Sequence, residues 1–209
     1  MPSVFVDMSW IEIVHPEQAQ GRLRELYRRV AGPSGKVDNV LQIHSLRPHT
    51  LEGHMALYKS VLHHSGNKLP KWLLETIAVY VSLLNSCTYC VAHHSAGLSR
   101  LLQDEKRSRD IRHALETGDL EKAFPDARER AILDYTRRLT QSPGEIRETS
   151  IQEMRAAGLT DGEIVEVNQV VSYFAYANRT VLGLGVMTEG DTLGLSPNDS
   201  GDPDNWQYS

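Results

Sequence analysis

The chain has 209 residues, of which 40% are hydrophobic and 23% charged, with a formal net charge of −5. That length suits one well-cored domain or two small ones, and the acidic balance argues against nucleic acid as a partner, because phosphate binding wants a basic patch. The longest apolar run, "WLLETIAVYVSLL", contains a glutamate and is too short to span a membrane.

In chain order, a short extended start is expected over Val4 to Val14, with no basic-then-apolar leader pattern. Pro16 opens a predicted helix carrying Leu23, Leu26, Tyr27 and Val30 on one face, closed by Gly32, Pro33 and Gly35. A second helix is expected from Pro48 or Thr50 to about His64, and "SGNKLP" separates it from a third, Pro70 to about Leu84. A fourth runs from about Ser86 to Leu102. "DEKRSRDIRHALETGD" and "FPDARERAILDYTRRLTQSPG" read as two more, and a shorter one covers about Arg147 to Ala157.

The last predicted helix opens with Thr160 and Glu163 in a capping-box pattern. From Gly190 the chain is polar and rich in turn formers, a loose arm in which Trp206 is the residue suited to dock. Strand signals are nearly absent after residue 14, so the fold class is all-α. The expected organisation is one domain over 1–189, with N-terminal helices at 16–65, a redox core at 69–102 and a second repeat at 159–187, then a polar arm at 190–209. The repeat rests on a shift of 88 residues that sets Glu75 on Glu163, Cys90 on Asn178 and Gly97 on Gly185. It implies two similar helical hairpins.

Both cysteines fall in "CTYCVAHH", residues 87–94. Without an export pattern, a cytoplasmic setting is expected, where a CxxC pair serves catalysis or metal binding rather than stapling. At about 100° per residue, His94 lies angularly between Cys87 and Cys90, while His93 is further round and Tyr89 points nearly opposite Cys87. Cysteines at i and i+3 lie near disulfide spacing, and a thiol at a helix start is favoured as thiolate. From Trp72 through Ala92 the sole formal charge is Glu75, in a helix apolar almost all round. A buried carboxylate is costly without a partner, and His94 is the candidate. A carboxylate on one ring nitrogen orients the imidazole and raises its basicity, leaving the other nitrogen for a thiol. That chain is a proton relay serving a dithiol.

The alternatives are two small buried cysteines, or a zinc site using both with His94 or His93, though one helix rarely closes a tetrahedron. Val91, not histidine, follows Cys90, against haem attachment, and a thioredoxin-like fold would need strands before the motif. Neither a metal nor a cofactor is expected. His44, His49, His54, His63 and His64 read as solvated, Glu163 and Asn178 as cap and packing residues, and Tyr173, Phe174 and Tyr176 as core.

Glu75, Cys87, Cys90 and His94, with "SAGL", "LTDGEI" and "NRTVLGLGV" beyond, resemble the alkylhydroperoxidase D-like family of the carboxymuconolactone decarboxylase superfamily, in its peroxidase-related branch. The likeness covers roughly residues 40–187, and only the core motif is specific. It implies an all-α fold and a homo-oligomer, trimer or hexamer. It implies a peroxidase in which Cys90 attacks a hydroperoxide, Cys87 resolves the sulfenic acid, and Glu75 and His94 move protons, with a dihydrolipoyl or thioredoxin-like dithiol protein as reductant. One departure stands out: well-studied members carry a second histidine just before the second cysteine, where this chain has Tyr89. Its hydroxyl either joins the network or accompanies weaker peroxidase activity on a different substrate. The competing expectations are a redox-sensing or small-molecule-binding oligomer without turnover, or a decarboxylase-like enzyme.

Overall fold

Residues 73–82 are all buried, so the segment around them has no solvent face and becomes the helix on which the others pack. The computed structural model describes residues 8–208. Its helices are α1 (Gly21–Val30), α2 (Asn39–Gln42), α3 (Pro48–Leu62), α4 (Lys71–Leu84), α5 (Thr88–Leu102), α6 (Glu105–Thr117), α7 (Ala127–Gln141), α8 (Glu148–Ala156) and α9 (Asp161–Leu184), with a 3₁₀ turn at Pro143–Glu145. Among the described residues no strand forms beyond an isolated bridge between Pro197 and Tyr208. None of the described helices is long and apolar enough to cross a membrane.

Helix α4 packs against α5, α7 and α9. Leu74, Ile77, Ala78 and Val81 meet Ile132 and Tyr135 of α7 and Val167, Val170, Val171 and Phe174 of α9 in the largest apolar cluster. A second cluster joins α1, α3 and Trp206, and a third places Val79 and Tyr80 against Leu98, Ile111, Leu115 and Phe124. A fourth, smaller one holds Ile43, Cys87, Tyr89, Cys90, Val181 and Val186 together.

The turn from α4 to α5 determines where the cysteines go. Ser86 takes φ +57°, the left-handed position where glycine usually sits, at a local cost of roughly 1–2 kcal/mol. The Ser86 N–H donates to Leu83 O (3.0 Å) and the Cys87 N–H to Ser82 O (2.8 Å), closing α4 with a Schellman pattern. The chain thereby reverses at once, with Cys87 at the N-cap of α5.

Several expectations are corrected. The first helix begins at Gly21, not Pro16: Gly21 has φ +52°, which a right-handed helix cannot run through, and residues 16–18 form a separate turn. Of the extended start, residues 4–7 lie outside the described residues. Residues 8–14 form no strand and instead follow the end of α9, the Trp10 N–H donating to Leu184 O (2.9 Å). The 88-residue shift does not relate two hairpins, since residues 75–97 span two helices and their turn whereas 163–184 lie in one continuous helix. The tail is not loose. Trp206 is buried in the second cluster beneath the Arg29 guanidinium (3.9 Å to the ring centre), and residues 194–196 lie over the cavity described below. The Thr160–Glu163 capping box forms as expected, Thr160 N–H donating to Glu163 Oε2 (2.9 Å) and Glu163 N–H to Thr160 Oγ1 (3.3 Å). A good N-cap is worth about 1 kcal/mol.

Candidate functional site

Glu75 sits near the start of α4, 4% exposed, where ionisation is unfavourable without a partner. The partner is His94 of α5, whose Nδ1 lies 2.7 Å from Glu75 Oε2. An ionised carboxylate only accepts, so Nδ1 donates to Glu75. The His94 ring is held edge-on against Phe174, with centroids 4.6 Å apart.

The two sulfurs are 3.0 Å apart and unbonded. The Cys90 side chain hydrogen-bonds Cys87 and holds the Cys87 thiol below its ordinary pKa, against the opposing effect of burial. The same bond, then burial and the Cys87 charge, push Cys90 well up. Of the pair, Cys87 is therefore the more acidic thiol and Cys90 the less acidic. Access runs the other way. Cys87 is wholly buried, while Cys90 lines a cavity of ≈ 60 Å³ together with Glu75, His94, Tyr58, Tyr173 and Phe174. No hydrogen bond among the described residues joins His94 to either sulfur; His94 and Cys90 share this space.

Tyr89 and His93 line the same cavity but bond to a different carboxylate, Asp191. The Tyr89 hydroxyl donates to Asp191 Oδ2 (2.5 Å) and accepts from the Val40 N–H (3.2 Å). Its ring stacks on His93, centroids 4.5 Å apart, and His93 Nε2 lies 3.2 Å from the same Asp191 oxygen. The Asn39 N–H fixes the other Asp191 oxygen at 3.0 Å. Nearby Asp38, on the cavity wall, is raised to about 6 by burial and then by the Asp191 charge.

No protein-family model matches the chain. A crystal structure of an alkylhydroperoxidase AhpD core, an uncharacterized peroxidase-related protein from Ralstonia eutropha JMP134, superposes with a TM-score of 0.76 at 23% identity, over 88% of this chain and 94% of that one. An uncharacterized peroxidase-related protein from Silicibacter sp. TM1040 gives 0.71 at 25% identity, over 89% and 92%. The chain has the AhpD-like fold. Within it, the debrominase Bmp8, solved as a cysteine-to-alanine variant in complex with 2,3,4-tribromopyrrole, matches with a TM-score of 0.67 at 18% identity over 87% and 94%. Among curated proteins, mouse (Mus musculus) Sestrin-2 is 23% identical over 196 residues, 92% of this chain. The chain spans only 38% of that relative's length.

At this site, sequence reasoning missed the contacts of Asn178 and the burial of three histidines. Asn178 of α9 is fully buried; its amide donates to Ser82 Oγ (3.1 Å) and accepts from Asn85 Nδ2 (3.0 Å). It acts on both sulfurs in the direction of thiolate. His44, His54 and His63, expected in solvent, are buried, whereas His49 is exposed. His54 packs between His44 and Tyr173, and His63 meets the Tyr58 ring edge-on. Among the described residues no three His, Cys, Asp or Glu side chains are grouped to hold a metal ion.

Proposed function

We propose that the protein is a thiol-dependent peroxidase that reduces hydroperoxides through a Cys87–Cys90 dithiol–disulfide cycle. The observation that carries this reading is that Cys90 and His94 face one small cavity, with Cys87 3.0 Å behind the first and Glu75 bonded to the second. The AhpD-like fold supports an enzyme of this broad kind.

In the cycle, Cys87, once ionised, takes the Cys90 proton across the 3.0 Å contact, freeing the accessible sulfur as thiolate. Cys90 attacks the peroxide: an S–O bond forms, the O–O bond breaks, and the departing alkoxide or hydroxide takes a proton from protonated His94. Glu75, accepting from Nδ1–H, stabilises that imidazolium. The Cys87 thiol then attacks the Cys90 sulfenic acid, forming the S–S bond as the hydroxyl leaves with the thiol proton as water. The sulfurs close by about 1 Å to bonding distance. A dithiol reductant restores the pair with two electrons, and the proton released in that exchange recharges His94. Thioredoxin-like or dihydrolipoyl proteins have the required chemistry.

The debrominase neighbour raises a second reading, reductive removal of halogen from an aromatic ring. The ≈ 60 Å³ above Cys90 favours a small peroxide over a ring bearing three bromines. Intact-protein mass spectrometry after one equivalent of peroxide separates the readings. A peroxidase loses two hydrogens, becomes protected from alkylation, and turns over peroxide with dithiothreitol unless Cys90 is serine. Equal peroxide consumption by wild type and Cys90→Ser would overturn the assignment.

A further inference from the structure

The cavity over Cys90 owes its size to the tail. Gly194, Leu195, Ser196 and Tyr208 lie on its wall beside Cys90 and His94, although their sequence neighbours are polar turn formers. Gly194 takes φ +80° and presses its backbone on α5. A Cβ there would lie 2.9 Å from the Ala96 carbonyl carbon and the Gly97 nitrogen, closer than backbone tolerates. Only glycine lets the chain descend this far onto the helix that carries the cysteines.

Both sides of this contact are anchored. Arg100 of α5 donates to Ser196 Oγ (3.1 Å), buried Lys59 of α3 donates to Asn198 O, and Lys71 of α4 pairs with Asp199. Residues 197–208 then close on themselves, Asn198 N–H donating to Gln207 O (2.9 Å). Trp206 and Arg29 pin that loop to α1, and the Tyr208 hydroxyl reaches Asp38 Oδ2 (3.4 Å). The tail is therefore a roof tied to α1, α3, α4 and α5, and of its glycines Gly194 approaches α5 most tightly.

We propose that this roof determines substrate size: with the arm seated, the Cys90 site admits hydrogen peroxide and excludes organic hydroperoxides as bulky as cumene hydroperoxide. The ≈ 60 Å³ beneath it suits hydrogen peroxide and is well short of the ~150 Å³ cavity that takes one benzene ring. The apolar and aromatic floor, Tyr58, Tyr173 and Phe174, would accept a larger hydroperoxide once the roof lifted. This inference rests on the peroxidase reading for its substrate, but the geometry is testable without turnover.

The experiment uses the full chain with Gly194→Val, which wedges the arm from α5, and Trp206→Ala, which removes its anchor outside the cavity. Thermal unfolding verifies that each variant folds, and amide hydrogen exchange over 194–208 reports whether the arm has lifted. Cys90 alkylation by iodoacetamide and by a biotin-linked maleimide gives one measure of access. The ratio of kcat/KM for cumene hydroperoxide over hydrogen peroxide gives the other. In a variant with faster arm exchange, both the maleimide-to-iodoacetamide ratio and the kcat/KM ratio should rise about tenfold or more, the scale on which a pocket discriminates by size. A lifted arm with unchanged ratios overturns the proposal, as does failure of both substitutions to speed arm exchange. A changed alkylation ratio without peroxide turnover in any form upholds the roof and sinks the peroxidase reading; turnover with unchanged ratios does the reverse.

Discussion

The Glu75 carboxylate accepts a 2.7 Å hydrogen bond from His94 Nδ1 across the α4–α5 interface, and that bond faces the cavity containing Cys90. Glu75→Gln keeps the shape and a polar oxygen for Nδ1–H while removing the charge that stabilises the imidazolium. Peroxide turnover should fall about 10–100-fold, as for removal of a group that orients a working histidine. The folded state should survive, because an amide is cheaper to bury than a carboxylate. Steady-state kinetics beside urea denaturation checks both; a full-rate variant would remove Glu75 from the mechanism.

The sulfurs divide their work between acidity and access. Cys87→Ser should still form a sulfenic acid at Cys90 with one equivalent of peroxide, trapped by dimedone, but should not cycle. Cys90→Ser should form none, because Cys87 is sealed from the cavity. Ultraviolet thiolate absorbance should titrate at higher pH in Cys90→Ala than in wild type, since Cys87 loses the S–H donor that holds its pKa down. Dimedone labelling of Cys87 in Cys90→Ser would reverse the assignment of roles.

The Glu75–His94 pair was legible because its parts lie within twenty residues: a lone carboxylate in an apolar helix demanded a partner, and His94 is the partner. His54 carried a readable signal that was misjudged, as it lies three residues after Leu51 and beside Met55 on the buried stripe of α3. Asn178 and Asp191 carried no local signal. Their partners Ser82 and Tyr89 are 96 and 102 positions away. The same holds for the arm, whose polar, turn-rich composition resembles a solvated tail until Trp206 and the Gly194 contact are seen in space.

Asn178 ties α9 to the α4–α5 turn and faces both thiols. Asn178→Leu leaves the Ser82 hydroxyl and Asn85 amide without that partner, at about 1–3 kcal/mol of stability. It also withdraws an influence that favours thiolate, so the thiolate titration should move to higher pH. A stability loss with an unmoved titration would make Asn178 purely structural.

Three buried histidines give the fold an acid sensitivity of calculable sign. Burial lowers His44 from 6.5 to about 4 and, with the His44 charge, His54 to about 3; His63 is pushed well below its usual value. The folded pKa values lie below the unfolded one, so the unfolded chain binds more protons. The contribution is fully present above pH 6.5 and is lost as pH falls from there towards the folded values. Each histidine adds a slope of at most about 1.4 kcal/mol per pH unit. Urea unfolding of wild type and His54→Gln from about pH 7 to about pH 4.5 isolates one of them. The variant starts less stable, having lost ring packing against Tyr173, but its stability should fall less steeply by nearly one proton. Carboxylates titrating over the same range act in both proteins and cancel in the difference, so equal slopes would mean that His54 is already solvated in the folded state.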